Sequence, residues 1–338
     1  MEQNNREQMY VVVSVELGDA LNVPADVLAL KYAQAAYGVD SAVIQRLASF
    51  TPNIEEALPI PGKFTLVKSD GQVASPLVLF VGVVPLLQFG YQEIRVFGRD
   101  VLMTLAKDAP DTKHLCLTIH GPGYGLDEAE AFEAEVAGIV EAITDGDFPQ
   151  YLERITIIEQ NSARVGRLRR GLSRLLPQGR VDLNRAKHLG AIGSGAKERL
   201  RSAGYNSKDK PHVFVAMPFL DEMSDTYDYG IQSAVHAAGF LCERADVSTF
   251  TGDAMEWVRR RIASATLVIA DLSTANPNVY LEVGYAWGCG KPTILLARDI
   301  SELKFDVKGQ RCLLYKRIKH LEELLKKELE NLRPSLPI

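Results

Sequence analysis

The chain has 338 residues, 46% of them apolar and 24% charged, and a net charge of −5, which fits two globular domains of ordinary soluble composition. No apolar run approaches the ~20 residues that span a bilayer, and the opening MEQNNREQMYVVVSV has no signal-peptide core, so the expectation is a cytoplasmic protein with no membrane partner. Cys116, Cys242, Cys289 and Cys312 are scattered and the histidines form no HxxxH pair, which argues against a disulfide framework and a metal site; no cofactor or metal is expected.

Charge is segregated along the chain. Residues 1–160 carry 10 basic and 23 acidic residues, residues 161–211 carry 13 and 3, and residues 212–338 carry 15 and 17. A basic stretch after an acidic one can lie against it, bind an anionic partner or grip nucleic acid. The overall pI of about 5.8 makes nucleic acid the least favoured of the three.

In chain order, residues 9–15 and 25–30 read as strands and 40–50 as a helix. KFTLVK (63–68) alternates as a strand, 77–84 is a continuous apolar strand and 93–106 has the period of a core-facing helix. Strand 114–119, helix 127–143, strand 155–159 and a basic helix over 162–176 complete an α/β sandwich over residues 1–177. Between strand and helix lies HGPGYG, with Gly121, Gly123, Tyr124 and Gly125. Such glycines let backbone N–H groups close on an anion next to a helix N-terminus, or simply make a tight turn; Asp127, Glu128 and Glu130 at the helix start oppose a phosphate. PLVLFVGV followed by a helix carrying Arg95, together with LTIHGPGYGLDEAEAFEAEVAGI, resembles the macro-like domains, including the amino-terminal domain of leucyl aminopeptidases. The resemblance implies a sensor for ADP-ribose or a related nucleotide, held by the 121–125 loop and by Asp26.

Residues 178–211 are rich in glycine and basic residues with little apolar periodicity, and read as a linker with one short helix at 196–202. From residue 212 strands and helices alternate: strand 212–217, an acidic loop over 221–225, helix 227–238, strand 240–244, helix 254–264, strand 267–271, helix 279–289, strand 293–297, strand 310–315 and helix 320–332. Five strands with helical crossovers predict a flavodoxin-like doubly wound parallel sheet over residues 212–338. Ligands of such sheets sit beyond the strands' carboxyl ends. The residues there are Met217, Pro218 and Phe219, then Arg244 and Asp246, then Asp271, Ser273, Asn278 and Tyr280, with Glu282 in the helix that follows. A carboxylate near a helix start is also what the helix dipole favours, so position alone leaves Glu282 open between the two explanations. A central carboxylate with further acid and Asn or Arg donors suits attack at an anomeric carbon, and the absence of GxxxxGK[ST], GxGxxG and GxSxG in this half removes the usual support for kinase, dehydrogenase and serine hydrolase readings.

HVFVAMPF, RADVSTFTGD, ATLVIADLS, NPNVYLEVGYAWGCGKPTILL and KFDVKGQRCLLY resemble the nucleoside 2-deoxyribosyltransferases and their TIR-like relatives over residues 211–320. The resemblance implies that Glu282, in LEVGYA, is the glycosidic-bond carboxylate, that Asp271 and Asn278 orient the ribose and that residues 217–219 wall the base. One departure stands out: WVRRRIASA carries Val258 where those enzymes often have a second acid, leaving Asp253 or Glu256 slightly upstream as substitutes. The function expected is a ligand-regulated N-glycosidase acting on NAD+ or a (deoxy)nucleotide, in the manner of bacterial anti-phage effectors, and self-associating as TIR-like proteins often do. The alternatives are a constitutive deoxyribosyltransferase of nucleotide salvage and a non-catalytic nucleotide-binding signalling protein.

Overall fold

Two separate sheets organise the chain. In the computed structural model, which describes residues 10–51, 53–245 and 254–336, the first has seven strands: β1 (Tyr10–Leu17), β2 (Val27–Tyr32), β3 (Phe64–Lys68), β4 (Leu77–Gly82), β5 (His114–Thr118), β6 (Arg154–Glu159) and β7 (Arg180–Asp182). Their order is β3-β4-β2-β5-β6-β1-β7. The five inner strands run parallel, and both edge strands, β3 and β7, are antiparallel to their neighbours. Inner strands of a parallel sheet are covered on both faces and therefore read as unbroken apolar runs; Val78, Leu79 and Phe80 of β4 and Val27 to Leu30 of β2 are fully buried.

The covering helices are α1 (Gly38–Ala48), α2 (Tyr91–Asp108), α3 (Glu128–Asp145), α4 (Ser162–Leu175), α5 (Arg185–Ala191) and α6 (Ser194–Ser202). Helices α2 and α3 pack backbone to backbone at two glycines. A Cβ on Gly98 would lie 2.7 Å from the Glu135 carbonyl oxygen, and one on Gly138 would lie 2.0 Å from that of Arg95.

Residues 178–211 are not a linker, contrary to the sequence expectation. β7 pairs with β1 in the register Val11↔Val181, α5 and α6 follow, and the whole stretch to Lys208 belongs to the first compact unit. Its basic charge answers the acids of α3: Arg185 pairs with Asp145 at 2.9 Å and Arg199 with Glu133 at 2.9 Å, while Ser207 donates to Glu130. From the other side, the buried Arg95 donates to the carbonyls of Leu200 (2.8 Å) and Ala203 (2.7 Å) and pairs with Glu141 at 2.9 Å. Arg185 and Arg199 of the basic stretch thus lie against the acids of their own unit.

The second sheet contains β8 (His212–Ala216), β9 (Leu241–Glu243), β10 (Leu267–Asp271), β11 (Thr293–Ala297) and β12 (Cys312–Leu314) in the order β12-β11-β10-β8-β9. All neighbours are parallel, which is the flavodoxin-like order expected. Side chains alternate between two cores, as period-2 geometry requires. Val213, Val215, Leu267 and Ile269 face one, with Leu321, Leu325 and Leu329 of α12 (Ile318–Leu332). Phe214, Ala216, Val268 and Ala270 face the other, with Trp257 and Val258 of α9 (Ala254–Ser264) and Val279, Val283 and Ala286 of α10 (Pro277–Gly288).

The acidic loop expected at 221–225 is itself helical: α7 (Asp221–Asp225) runs through a π-helical stretch, Thr226–Gln232, into α8 (Ser233–Ala237). A short α11 (Phe305–Lys308) completes the unit. The last strand is shorter than expected, because only residues 312–314 find partners on β11. The second unit comprises Pro122–Glu128 together with Asp209–Ile338, so part of the glycine loop is counted with it. Among the described residues, no helix is long and apolar enough to cross a membrane.

Candidate active site

The chain leaves β8 toward β9 on one side, and leaves β10 toward β11 on the other. The carboxyl ends of β8 and β10 therefore border the switch point of the sheet, where doubly wound folds leave a crevice. After Asp271 the backbone turns through Ala275 at φ 50°. Asn276 then caps α10, its side chain accepting from the Asn278 N–H at 2.9 Å, with Pro277 as the first helical residue. Asparagine at the cap and proline at the first position are the residues this junction favours.

This start places Glu282 sixth in the helix, in its second turn, whereas the sequence placed it in the first turn of a helix beginning at Val279. No acid occupies the first turn of α10. The dipole effect fades beyond the first turn, so helix-end electrostatics no longer accounts for the carboxylate. Glu282 shares the inward face with Val279, Val283 and Ala286, and only 8% of its surface is exposed. Among the described residues no donor or cation is set against it, and burial alone pushes its carboxyl up to about 7.

The other predicted rim residues divide by what they hold. Met217 and Pro218 are buried at the end of β8 and Phe219 is partly buried. Arg244, after β9, lies with its guanidinium 3.6 Å from the Phe219 ring centre and 4.1 Å from that of Tyr227, so the exits of β8 and β9 are clamped by one stacked cation. Asp271 is buried and both its oxygens are engaged: Oδ1 accepts from the Ser273 N–H at 3.0 Å and Oδ2 from the Tyr315 hydroxyl at 2.6 Å. Ser273 Oγ in turn accepts from the Arg298 N–H at 3.1 Å. The Arg298 guanidinium reaches Thr226 Oγ1 at 3.2 Å, inside the π-helical stretch.

Burial and the Asp271 carboxylate push the Tyr315 hydroxyl up to about 12, so it stays protonated as a donor. Asp271 thus braces the loop after β10, and Tyr315 and Arg298 are members of the network that sequence reasoning missed. The only trace of Tyr315 was a polar-tipped aromatic ending the apolar run CLLY. Asn278 is exposed and one turn before Glu282, on the same side of α10. Tyr280 is partly buried and accepts from the Lys304 N–H at 3.3 Å. Asp246 and Asp253 lie outside the described residues. Glu256 is paired with Arg260 at 2.8 Å on the surface of α9.

Two expectations for the first domain are corrected. Asp26 sits before β2, at the amino edge of the sheet, where its Oδ2 accepts from the N–H groups of Lys113 and His114, both at 2.8 Å. It fastens the start of β5 and is at the wrong edge for a ligand of a parallel sheet. Most of the glycine loop belongs to the second unit and not to the first. Gly121, Gly123 and Gly125 do adopt positive φ, at 100°, 84° and 86°, but Pro122–Glu128 packs within the second unit. Gly123 and Tyr124 form bridges to Ala245. A Cβ on Gly125 would lie 1.8 Å from the Trp257 ring, and Asp127 Oδ2 accepts from the Cys242 N–H at 2.8 Å and from His236 Nε2 at 2.5 Å. The glycines allow a close approach to an indole, and the acid that follows them holds the start of β9.

No family model matches the chain, and no curated protein matches it. Solved structures similar to it include a macrodomain of Oceanobacillus iheyensis with MES bound, at 14% identity over 53% of this chain and 97% of that one, with a TM-score of 0.40. The macro domain of ganglioside induced differentiation associated protein 2 is 15% identical over 52% of this chain and 90% of its own, TM-score 0.36. The Clostridium botulinum CMP N-glycosidase BcmB is 19% identical over 35% of this chain and 98% of its own, TM-score 0.30. At these values the chemistry of the site rests on its own residues.

Proposed function

We propose that the second unit is an N-glycosidase acting on a nucleotide-type substrate, with Glu282 as the carboxylate that meets C1′. The observation that carries this reading is a buried glutamate beside the switch point of a doubly wound sheet, with no described donor or cation to neutralise it and its carboxyl pushed up to about 7. Folding does not need such a group, and leaving it buried costs stability. A carboxylate short of hydrogen bonds is a strong nucleophile and a strong stabiliser of positive charge.

In the reaction, the C1′–N bond breaks and its electron pair leaves with the base. The sugar carbon gains oxocarbenium character, which the Glu282 carboxylate either stabilises or captures as a C1′–O ester. Water then attacks C1′, its oxygen becoming the sugar hydroxyl and its proton passing to solvent, and the glutamate is regenerated. From NAD+ the nicotinamide leaves neutral with no proton required; from a deoxynucleotide the departing base takes a proton from solvent. The aromatic and apolar side chains of Phe219 and Met217 at the end of β8 suit the base, and the partly unscreened α10 face around Asn278 suits the sugar. The sequence resemblance to deoxyribosyltransferases and TIR-like domains points to the same residue.

The test incubates the protein with NAD+ and, separately, with deoxynucleotides, and follows free base. Release by the wild type and its loss in Glu282→Gln is the expected result; equal release by both, or none from any substrate, overturns it. Adding a second free base separates hydrolysis from base transfer. The regulated form of this reading, a defence effector whose glycosidase is switched on by a nucleotide signal, predicts base release only when that signal is added.

A further inference from the structure

A cleft of about 290 Å3 in the first unit is built entirely from helices α2, α3, α5 and α6 and the turns after α5 and α6. It is therefore distinct from the strand-end crevice assigned to catalysis. Its apolar floor includes Val140, Leu189, Ile192 and Leu200, with Ile192 and Leu200 themselves buried, and the aromatic ring of Tyr205 stands at its edge, 41% exposed.

The polar lining is unbalanced in a specific way. Arg95 and Arg185 are spent on Glu141 and Asp145. Lys197 and Arg201, one turn apart on the same side of α6, line the cleft with no ion pair or side-chain hydrogen bond among the described residues. Lys197 is partly buried. His188 lines the same cleft at 1% exposure, and its Nε2 has no hydrogen-bond partner. A buried polar nitrogen left uncommitted is rare and costly in a folded protein. Both observations point to something that is absent from the chain itself.

We propose that this cleft binds a nucleoside monophosphate, its phosphate held between Lys197 and Arg201 and its base laid on the apolar floor beside Tyr205. Size favours a mononucleotide, since the volume lies at the small end of ligand pockets, ~300–1,000 Å3, too small for a dinucleotide or a nucleic-acid strand. The acids favour a ligand that also brings donors. Both oxygens of Glu141 are taken by Arg95 and Arg99, but Asp145 engages Arg185 through Oδ1 only, so its other oxygen can accept from a ribose hydroxyl or an exocyclic amine while repelling an oxyanion that has none. His188 supplies the remaining polar contact from the wall. A ring pressed on Tyr205 would join the stack in which the Arg95 guanidinium already lies 4.1 Å from that tyrosine's centre.

The experiment titrates the full chain with AMP, CMP, adenosine and inorganic phosphate by calorimetry. Wild type is expected to bind a nucleoside monophosphate, and Lys197→Glu/Arg201→Glu to weaken that binding at least about tenfold, a loss of ~1.4 kcal/mol. Adenosine and phosphate alone are each expected to bind at least about tenfold more weakly than AMP. His188→Phe is the second variant: removing an uncommitted buried nitrogen should hold or raise the thermal midpoint while lowering affinity, a combination that a purely structural histidine would not give. Unchanged binding in the double variant, binding of phosphate as tight as that of AMP, or no binding at millimolar AMP overturns the proposal. So does binding lost in Glu282→Gln instead, which would put the nucleotide in the other unit. Failure of the base-release assay leaves this titration untouched, so the two readings stand or fall separately.

Discussion

The Tyr315 hydroxyl donates to Asp271 Oδ2 at 2.6 Å, joining the exit of the last strand of the second sheet to that of its middle strand. Tyr315→Phe would leave the oxygen of a carboxylate that is 1% exposed without its donor. The expected loss is ~1–3 kcal/mol, read as a lower midpoint in denaturant unfolding. Base release is expected to fall by far less than in Glu282→Gln, because both Asp271 oxygens are already engaged within the loop that the carboxylate braces. Equal losses of kcat in the two variants would contradict that division of labour.

Glu282 makes the second prediction through its own titration. As nucleophile or charge stabiliser it must be ionised, so kcat/KM should rise as pH passes up through about 7. A profile that falls through that range would make the protonated acid the working form and reverse the assigned role.

Linkage gives the third. The carboxyl is raised from its ordinary 4.5 to about 7 in the folded chain, so the folded state binds the extra proton. The contribution of this proton to stability is fully present below pH 4.5, declines as pH rises, and is lost once pH exceeds about 7. The full effect is about 3 kcal/mol. Glu282→Gln should therefore be more stable than wild type at pH 8 and about equal to it at pH 4, measured as the difference in thermal midpoint at the two values. A residue that gains stability when neutralised while losing activity is the mark of a functional group held against folding.

The fourth concerns Gly125. Alanine there meets both a φ of 86° and the Trp257 ring at 1.8 Å from the new Cβ. The expected cost exceeds ~2 kcal/mol, visible in thermal unfolding and accompanied by a change in Trp fluorescence. An unaffected midpoint would mean the loop is not packed on that indole.

Arg95 carries the fifth. It is 6% exposed and gives its protons to Glu141 and to the carbonyls between Leu200 and Ala203. Arg95→Ala leaves the Leu200 and Ala203 carbonyls without their donor, while Glu141 keeps Arg99, so a loss of ~1–3 kcal/mol is expected. Limited proteolysis should then cut within residues 185–205, the stretch that the arginine fastens.

The second unit was legible because local signals and tertiary structure agree there. Apolar runs such as LVIAD and TILLA sit in a sheet covered on both faces, and the alternation of strands with helices carried the topology. The rim was legible only in part. Asp271 and Glu282 both stand near the end of β10, yet one is committed to Tyr315 and the other to nothing described, and only geometry separates them. The first unit misled where partners are remote in sequence. Arg185 and Arg199 look like solvated linker charges until Asp145 and Glu133 are brought beside them. Gly121 to Gly125 look like an anion loop until Trp257 arrives behind Gly125.

The assignment of Pro122–Glu128 to the second unit has a practical corollary. Covalently, the chain passes from one unit to the other three times, at Gly121, at Glu128 and after Lys208, so no single cut divides it into two intact halves. A fragment cloned from residue 209 onward would carry the five-stranded sheet with His236 and the Cys242 N–H deprived of the Asp127 carboxylate that both contact, and with Trp257 stripped of the backbone packed against it. Supplying residues 122–128 as a peptide, or circularly permuting the chain so that they are retained, is the route to an isolated second unit.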